Sequence, residues 1–130
     1  MYKSMTTNLM VTDVDKSLSF YRDILHFNVI NSVKAENGAG LQFAILERDG
    51  LMLMLQEKSN LTAEYPVLAT EMLHPSVTLF IMVDDFEATY NKLKENCEVV
   101  SEIHTTFYGS KEFAVAAVDG YVLTFAEHTG

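Results

Sequence analysis

The sequence predicts an α+β fold made of two tandem β-α-β-β-β modules, and an internal repeat is the main reason. Residues 43–57 (FAILERDGLMLMLQE) resemble residues 113–127 (FAVAAVDGYVLTFAE) at an offset of 70 without a gap. The stretches 11–21 (VTDVDKSLSFY) and 83–93 (VDDFEATYNKL) match more loosely. A repeat this long indicates two copies of one supersecondary unit, each too small to bury its own hydrophobic face. Two such halves facing each other would enclose a cleft, and clefts are where small molecules bind.

The first module covers about residues 5–57. Asp13 is a candidate helix N-cap, and the apolar residues that follow it recur at helical spacing. The dipeptide Asp49-Gly50, between two apolar runs, is a strong hairpin signal. The predicted elements are a strand over 6–12, a helix over 14–25, a strand over 29–33, a turn at 37–40, and paired strands over 41–48 and 51–56.

The second module, about residues 77–127, repeats this order around a second Asp-Gly dipeptide, Asp119-Gly120. The connection between the modules, residues 58–76, does not fit the repeat and contains Pro66 and Pro75. We predict a crossing segment there, with one or two helical turns in 67–73. The predicted elements of the second module are a strand over 77–83, a helix over 85–96, a strand over 99–103, a turn at 108–110, and paired strands over 111–117 and 121–126.

Length and composition predict a single domain over residues 1–130. The chain is 48% hydrophobic and 21% charged, which is ordinary for a globular protein. No apolar run approaches the roughly 18 residues that a membrane span needs. The N-terminus lacks the features of a signal peptide, so a cytoplasmic location is the default. The single cysteine, Cys97, cannot form an intrachain disulfide.

The net charge of −9 bears on the partners of the protein. The chain has 18 acidic and 9 basic residues. Nucleic acid is not expected to bind, because its phosphates demand basic patches. The negative charge permits a cationic ligand, although solubility is the commoner explanation of such a balance.

Three strings carry a resemblance to a known family: NLMVTDVDKSLSFYRDILHF (8–27), VTLFIMVDD (77–85) and EFAVAAVDGYVLTFAE (112–127). In this order the chain resembles the vicinal oxygen chelate superfamily, which includes glyoxalase I, extradiol dioxygenases, fosfomycin-resistance enzymes and bleomycin-resistance proteins. The opening Asn8-Leu9-Met10-Val11 is most similar to the bleomycin-resistance branch. The resemblance implies a curled mixed sheet around a cleft. It also implies a homodimer, often with each cleft completed across the subunits.

The resemblance further implies where a metal would be held. Metal-dependent members place His, Gln or Glu on the first and last strand of each module. Here those four positions hold Thr6, Met54, Thr78 and Thr124. Hydroxyl and thioether groups are not the usual ligands of a divalent cation. We therefore expect no metal and no other cofactor.

The other residues that could ligate a metal are also unsuitable. Glu57 and Glu127 are equivalent in the repeat, but each follows a metal position by three residues. Because strand side chains alternate, an odd offset places these carboxylates on the opposite face, where we expect solvated strand ends. No two histidines have ligand spacing, and His104 is the one expected closest to the cleft rim.

Alternation sorts the strands into two faces. The apolar face, which should pack beneath the helices, carries Leu9, Val11, Leu53, Leu55, Leu79, Ile81, Val83, Leu123 and Phe125. The other face, called the mixed face below, is apolar with a few hydroxyl and amide groups. That composition is typical of a small-molecule pocket, although methionines could also fill a second core. The candidate ligand-binding residues are Thr6, Asn8, Met10, Met52, Met54, Gln56, Thr78, Phe80, Met82, Thr124 and Tyr108. Further candidates for aromatic walls are Phe43, Phe107 and Phe113.

These observations favour a metal-free protein that sequesters a small hydrophobic or aromatic ligand, either neutral or cationic. One alternative is a lyase, isomerase or dioxygenase-like enzyme of the glyoxalase type with an atypical site. Another is a metal-free enzyme that uses Glu or His as a general base. The residues at the metal positions count against a metal-dependent enzyme. The sequence does not identify the ligand.

Overall fold

The computed structural model describes residues 1–128, and it has the predicted order of the eight strands. The chain divides into a first unit, Met1–Leu73, and a second unit that begins at His74. Each unit holds one four-stranded mixed sheet with its own helical cover. The predicted α+β fold of two tandem modules is confirmed. In the part of the chain that the structure describes, no helix is long and apolar enough to cross a membrane.

The sheet of the first unit has the strand order β1-β4-β3-β2, with β1 parallel to β4 and the other pairs antiparallel. Asp13 caps the first helix as predicted, because its carboxylate accepts the backbone N–H of Lys16 at 3.1 Å. The helix continues as a π-helical turn that ends at Ile24, and His26, two residues beyond it, has a left-handed φ of 60° that prevents its continuation. The elements of this unit are β1 (Thr7–Val11), α1 (Val14–Ser19), β2 (Asn28–Lys34), β3 (Leu41–Arg48), β4 (Leu51–Glu57) and α2 (Lys58–Glu64).

The apolar face of this sheet is the core of the first unit. Helix α1 lies against β3 and β4 and buries Val14 and Leu18 there. The period-two alternation correctly assigned the core residues of β1 and β4, since burial of apolar side chains decides which face turns inward, but it made no assignment for β3. The buried residues of the sheet are Leu9, Val11, Ala44, Leu46, Leu53 and Leu55.

The second unit repeats this plan with the strand order β5-β8-β7-β6. Its core is aromatic: the ring of Phe113 lies 5.1–5.3 Å from the rings of Phe86, Tyr90 and Phe125. Leu123 and Phe125 are buried as predicted, whereas Leu79, Ile81 and Val83, which were predicted for the same face, are only half-buried. The elements are β5 (Thr78–Val83), α3 (Phe86–Leu93), β6 (Glu98–Thr105), β7 (Lys111–Ala116) and β8 (Val122–Glu127).

The two Asp-Gly hairpins differ in loop length. In the first, Arg48 pairs with Leu51, so Asp49-Gly50 is a two-residue turn with φ of 52° and 83°. Positive φ at both residues is the geometry that suits the twist of two-residue hairpins. In the second, the last pair is Ala116 with Val122, and the five intervening residues form a 3₁₀ turn over Val118–Gly120.

The longer loop shifts the strand register by one residue relative to the repeat. Ala44 pairs with Leu55, but Ala114 pairs with Thr124. A one-residue shift moves every side chain of a strand to the other face. Phe113 therefore enters the core and is 0% exposed, whereas Phe43 pairs with Gln56 on the mixed face. The suggestion that Phe113 forms an aromatic wall is wrong for this reason.

The connection 58–76 differs from its prediction. The helix lies earlier than predicted, at Lys58–Glu64 directly after β4, followed by a 3₁₀ turn over Pro66–Leu68. Glu57 is its N-cap, because its carboxylate accepts the backbone N–H groups of Ser59 and Asn60 at 2.8 and 3.1 Å. Glu57 is thus a capping residue. The predicted helical turns in 67–73 are wrong beyond residue 68.

Candidate functional site

On the mixed face of the first sheet, the structure brings five predicted residues into register. Asn8 pairs with Met54, and Met10 pairs with Gln56, across the parallel strands β1 and β4. Met52 lies on the same face two residues before Met54 and is exposed. Thr6 lies one residue before β1 and outside the strand pairing.

A chain of amide groups crosses this face. Asn8 donates through Nδ2 to Oε1 of Gln56 at 2.9 Å, and Gln56 donates through Nε2 to Oδ1 of Asn60 at 2.7 Å. The same Nε2 lies 3.2 Å from Oε1 of Glu64, and Asn60 donates to Oε1 of Gln42 at 3.3 Å. Gln56 is only 7% exposed, so these partners satisfy an amide that burial would otherwise penalise. Asn8 is exposed and can present the end of this network to a ligand.

Asn60 and Glu64 are site residues that the sequence analysis missed. Both belong to α2, which contacts β4 and β1. Glu57 at the end of β4 could have predicted this helix, since a carboxylate before a Ser-Asn pair can cap a helix. The first unit therefore closes one end of its mixed face with a polar helix.

On the mixed face of the second sheet, Thr78, Phe80 and Met82 of β5 pair with Val122, Thr124 and Ala126 of β8. The side chains of Phe80 and Met82 are 54% and 56% exposed. Large apolar side chains at this level of exposure, adjacent on one strand, form a patch that water solvates poorly. Thr124 lies beside them and supplies a hydroxyl group.

Glu112 is the most unusual residue of this face, and the sequence analysis missed it. The register shift places it opposite Ala126, where its side chain is 6% exposed. Its Oε2 accepts a hydrogen bond from the phenol of Tyr108 at 2.6 Å. That bond is the main cause of a raised pKa of Tyr108, with burial and the charge of Glu112 adding to it. Tyr108 itself is exposed, so the hydrogen bond joins a buried carboxylate to a phenol at the surface.

The four histidines of the chain are exposed, and the single cysteine is half-buried. His104 is exposed, and its Nδ1 lies 2.8 Å from the carbonyl oxygen of Glu102. His26 and His74 are exposed, and His128 lies 3.3 Å from the carboxylate of Asp84. Cys97 bonds through Sγ to the carbonyl oxygen of Leu93, and burial raises the pKa of its thiol. A thiol with a raised pKa is a poor nucleophile.

An acidic depression in the first unit lies between the start of α1, the turn at 35–40 and the start of α2. Three of the four carboxylates that line it accept backbone N–H groups: Asp13 caps α1, Glu57 caps α2, and Asp15 accepts from Leu41 at 2.9 Å. Gly40 closes the turn with a φ of 84°, and a Cβ there would come within 2.6 Å of Asp15. These acidic groups stabilise local structure.

The residues at the family's metal positions do not fit a divalent cation. They supply the three hydroxyl groups of Thr6, Thr78 and Thr124 and the thioether of Met54. Divalent cations in proteins are held mainly by imidazole, carboxylate, thiolate or carbonyl groups, and none of these is among the four side chains. Across residues 1–128, no three His, Cys, Asp or Glu side chains gather into a possible metal site.

A family model described as the Glyoxalase/Bleomycin resistance protein/Dioxygenase superfamily matches residues 5–125. The chain belongs to this superfamily. The predicted resemblance to the vicinal oxygen chelate superfamily is thereby confirmed. Among curated relatives, the metallothiol transferase FosB of Staphylococcus haemolyticus is 29% identical over 121 residues, which cover 92% of this chain and 78% of the relative.

Solved structures agree on the fold. A glyoxalase-related enzyme from Fulvimarina pelagi superposes with a TM-score of 0.77 at 15% identity, covering 98% of this chain and 89% of the other. TioX from Micromonospora sp. ML1 gives 0.75 at 17% identity, covering 98% and 99%. Lactoylglutathione lyase from Agrobacterium tumefaciens gives 0.70 at 18% identity, covering 96% and 92%. At these identities the similarity shows the fold alone.

Proposed function

We propose that the protein binds a small hydrophobic or aromatic molecule on its mixed sheet faces and does so without a metal. The observation that carries this proposal is the exposed pair Phe80 and Met82 on β5. A strand inside a closed second core would bury such side chains, whereas a ligand surface leaves them accessible until it is occupied. Methionine suits this role because its flexible, polarizable side chain adapts to a ligand.

The polar groups of these faces would orient the ligand. Asn8 stands at the exposed end of the amide network, and Thr78 and Thr124 supply hydroxyl groups on the second sheet. Few polar groups among many apolar ones is the usual composition of a small-molecule site. The proposed ligand residues are those predicted from the sequence, with Phe43 added from the first sheet.

We also propose that the protein is cytoplasmic and forms a homodimer. β2 is an edge strand, and its apolar residues Val29, Ile30 and Val33 are exposed. Exposed edges with apolar side chains favour pairing with another chain, and a second copy is the simplest partner. The free thiol of Cys97 suits a reducing compartment.

A second candidate function is enzymatic, and the similarity to a metallothiol transferase over 92% of the chain favours it. The metal positions give it no support, because their residues do not fit a divalent cation. An enzyme of this type would have to work without a metal, with Glu112 and Tyr108 as the candidate ionisable groups of the second sheet. Loss of a thiol such as glutathione in the presence of an electrophile and the untagged protein would favour this candidate.

A mass-spectrometric survey of the untagged protein tests the proposed binding function. The protein is purified under native conditions, and small molecules released on denaturation are compared with those from the variant Met82→Lys. We expect one or more apolar or aromatic molecules in the wild-type sample that are depleted in the variant. Identical small-molecule profiles would contradict a ligand on this face.

A further inference from the structure

Glu112 is a buried carboxylate without a cationic partner, and we infer that it binds the positively charged group of an organic cation. The inference rests on the proposed binding function and adds that one end of the ligand carries a positive charge. An ammonium, quaternary ammonium or amidinium group attached to an apolar body would match the site. The first observation is burial, since only 6% of this residue is exposed.

The protein does not neutralise this charge itself. Within residues 1–128, no lysine, arginine or histidine nitrogen forms an ion pair with Glu112. The adjacent Lys111 belongs to the other face of β7, where its Nζ bonds Glu87 at 2.6 Å. His104 is opposite Glu112 in the strand register, but its Nδ1 is engaged with the backbone of Glu102.

A buried carboxylate is normally paired, because removing a charge from water is costly. The hydrogen bond from Tyr108 satisfies part of this need through one oxygen, Oε2. It supplies no compensating charge. A cation that arrives with the ligand would supply it.

The surroundings of Glu112 suit an organic cation better than a metal ion. Its partner across the strands is Ala126, whose side chain is apolar and carries no competing oxygen ligand, and Met82 follows in the same row. The rings of Tyr108 and the fully exposed Phe107 are 5.0 Å apart next to this row. Aromatic faces attract ammonium groups, whereas a hard cation would require several oxygen ligands. The net charge of −9 would further attract a cation to the protein.

Two probe molecules of the same shape separate the contribution of charge to the affinity from the contribution of hydrophobic contact. Phenyltrimethylammonium is cationic, and tert-butylbenzene is its neutral counterpart. Binding of each to the full chain is followed by the methyl NMR signals of Ala126 and Met82. We expect the cation to bind about tenfold more tightly or better, the range that charge-assisted and cation–π contacts supply. Glu112→Gln should abolish this preference.

Glu127→Gln is the matched control, because it removes the same charge from the opposite face of the neighbouring strand β8. It should keep the preference for the cation. Equal binding of both probes to the wild type, or a preference that survives Glu112→Gln, would overturn the inference while leaving the proposed binding function intact. Failure of both probes to bind would contradict both proposals.

A measurement on the wild-type protein does not depend on whether the Glu112→Gln variant folds. We expect nuclear Overhauser contacts from the N-methyl protons of phenyltrimethylammonium to the methyl group of Ala126 and to the ring of Tyr108. Contacts confined to residues away from this row would overturn the inference, whatever the stability of Glu112→Gln.

Discussion

Phe43 and Phe113 occupy equivalent positions in the sequence repeat, yet their side chains lie on opposite faces of their sheets. Phe43 pairs with Gln56 on the mixed face, and Phe113 pairs with Phe125 in the core. The cause is a hairpin loop of two residues in the first unit and five in the second. The same shift places Glu112 on the mixed face, so the chemistry of the two faces differs although the sequences match.

This difference predicts unequal costs for the same substitution. Phe113→Ala should destabilise the protein by about 3–5 kcal/mol, because it empties a fully buried site among three other rings. Phe43→Ala should cost clearly less, because Phe43 is only half-buried. Urea unfolding followed by circular dichroism measures both changes. Equal losses would contradict the assigned register.

The sequence predicted the features that short-range physics decides. Alternation located the strands and their inward faces, and Asp13 marked the start of α1, because burial and capping act within a few residues. Helix α2 escaped prediction because Ser59 and Asn60 in its first turn have low intrinsic helix propensity, and its start depends on the cap from Glu57. Glu112 escaped because identical Asp-Gly dipeptides close loops of different length, and the register follows the loop.

Tyr108 is expected to ionise above its ordinary pKa of about 10. Its hydrogen bond to Glu112 is the largest cause of the raised pKa, so Glu112→Gln should lower the pKa of Tyr108 toward the ordinary value. Ultraviolet absorbance titrations of wild type and Tyr108→Phe isolate this phenol. The pKa of Tyr90, which Glu102 raises in the same way, should not respond and serves as the control.

The raised pKa of Tyr108 determines how the stability of the protein changes with pH. A pKa raised in the folded state means that the stabilisation is fully present below the unfolded pKa and is lost as the pH rises through the folded pKa. The unfolding free energies of wild type and Tyr108→Phe should therefore differ most at neutral pH and converge in strong alkali. A difference that grows with alkaline pH would contradict the bond.

Metal content should be far below one equivalent per chain. Thr6, Met54, Thr78 and Thr124 offer no carboxylate, imidazole or thiolate at the family's metal positions. Elemental analysis of protein purified without a chelating tag gives the stoichiometry. Zinc, nickel, manganese or iron at one equivalent per chain would contradict metal-free binding.

The protein should sediment as a homodimer of 14.6 kDa chains. Ile30→Lys places a charge on the exposed edge strand β2 and should shift the equilibrium toward monomer. Val67→Lys, at an exposed position outside the sheets, is the control and should leave the dimer intact. Sedimentation equilibrium at micromolar concentration measures both. A wild-type protein with the mass of one chain would contradict the dimer.

Thermal denaturation of Met54→Glu and Leu55→Glu tests most directly whether the mixed face is a ligand surface. The two residues are neighbours on β4, but Met54 lies on the mixed face and is half-buried, whereas Leu55 lies in the core and is 0% exposed. We expect Met54→Glu to remain folded at ~25 °C, because water can reach its charge, and Leu55→Glu to be largely unfolded, because a buried unpaired charge costs several kcal/mol. If Met54→Glu unfolds as completely as Leu55→Glu, the mixed face is a second core and the proposed binding surface does not exist.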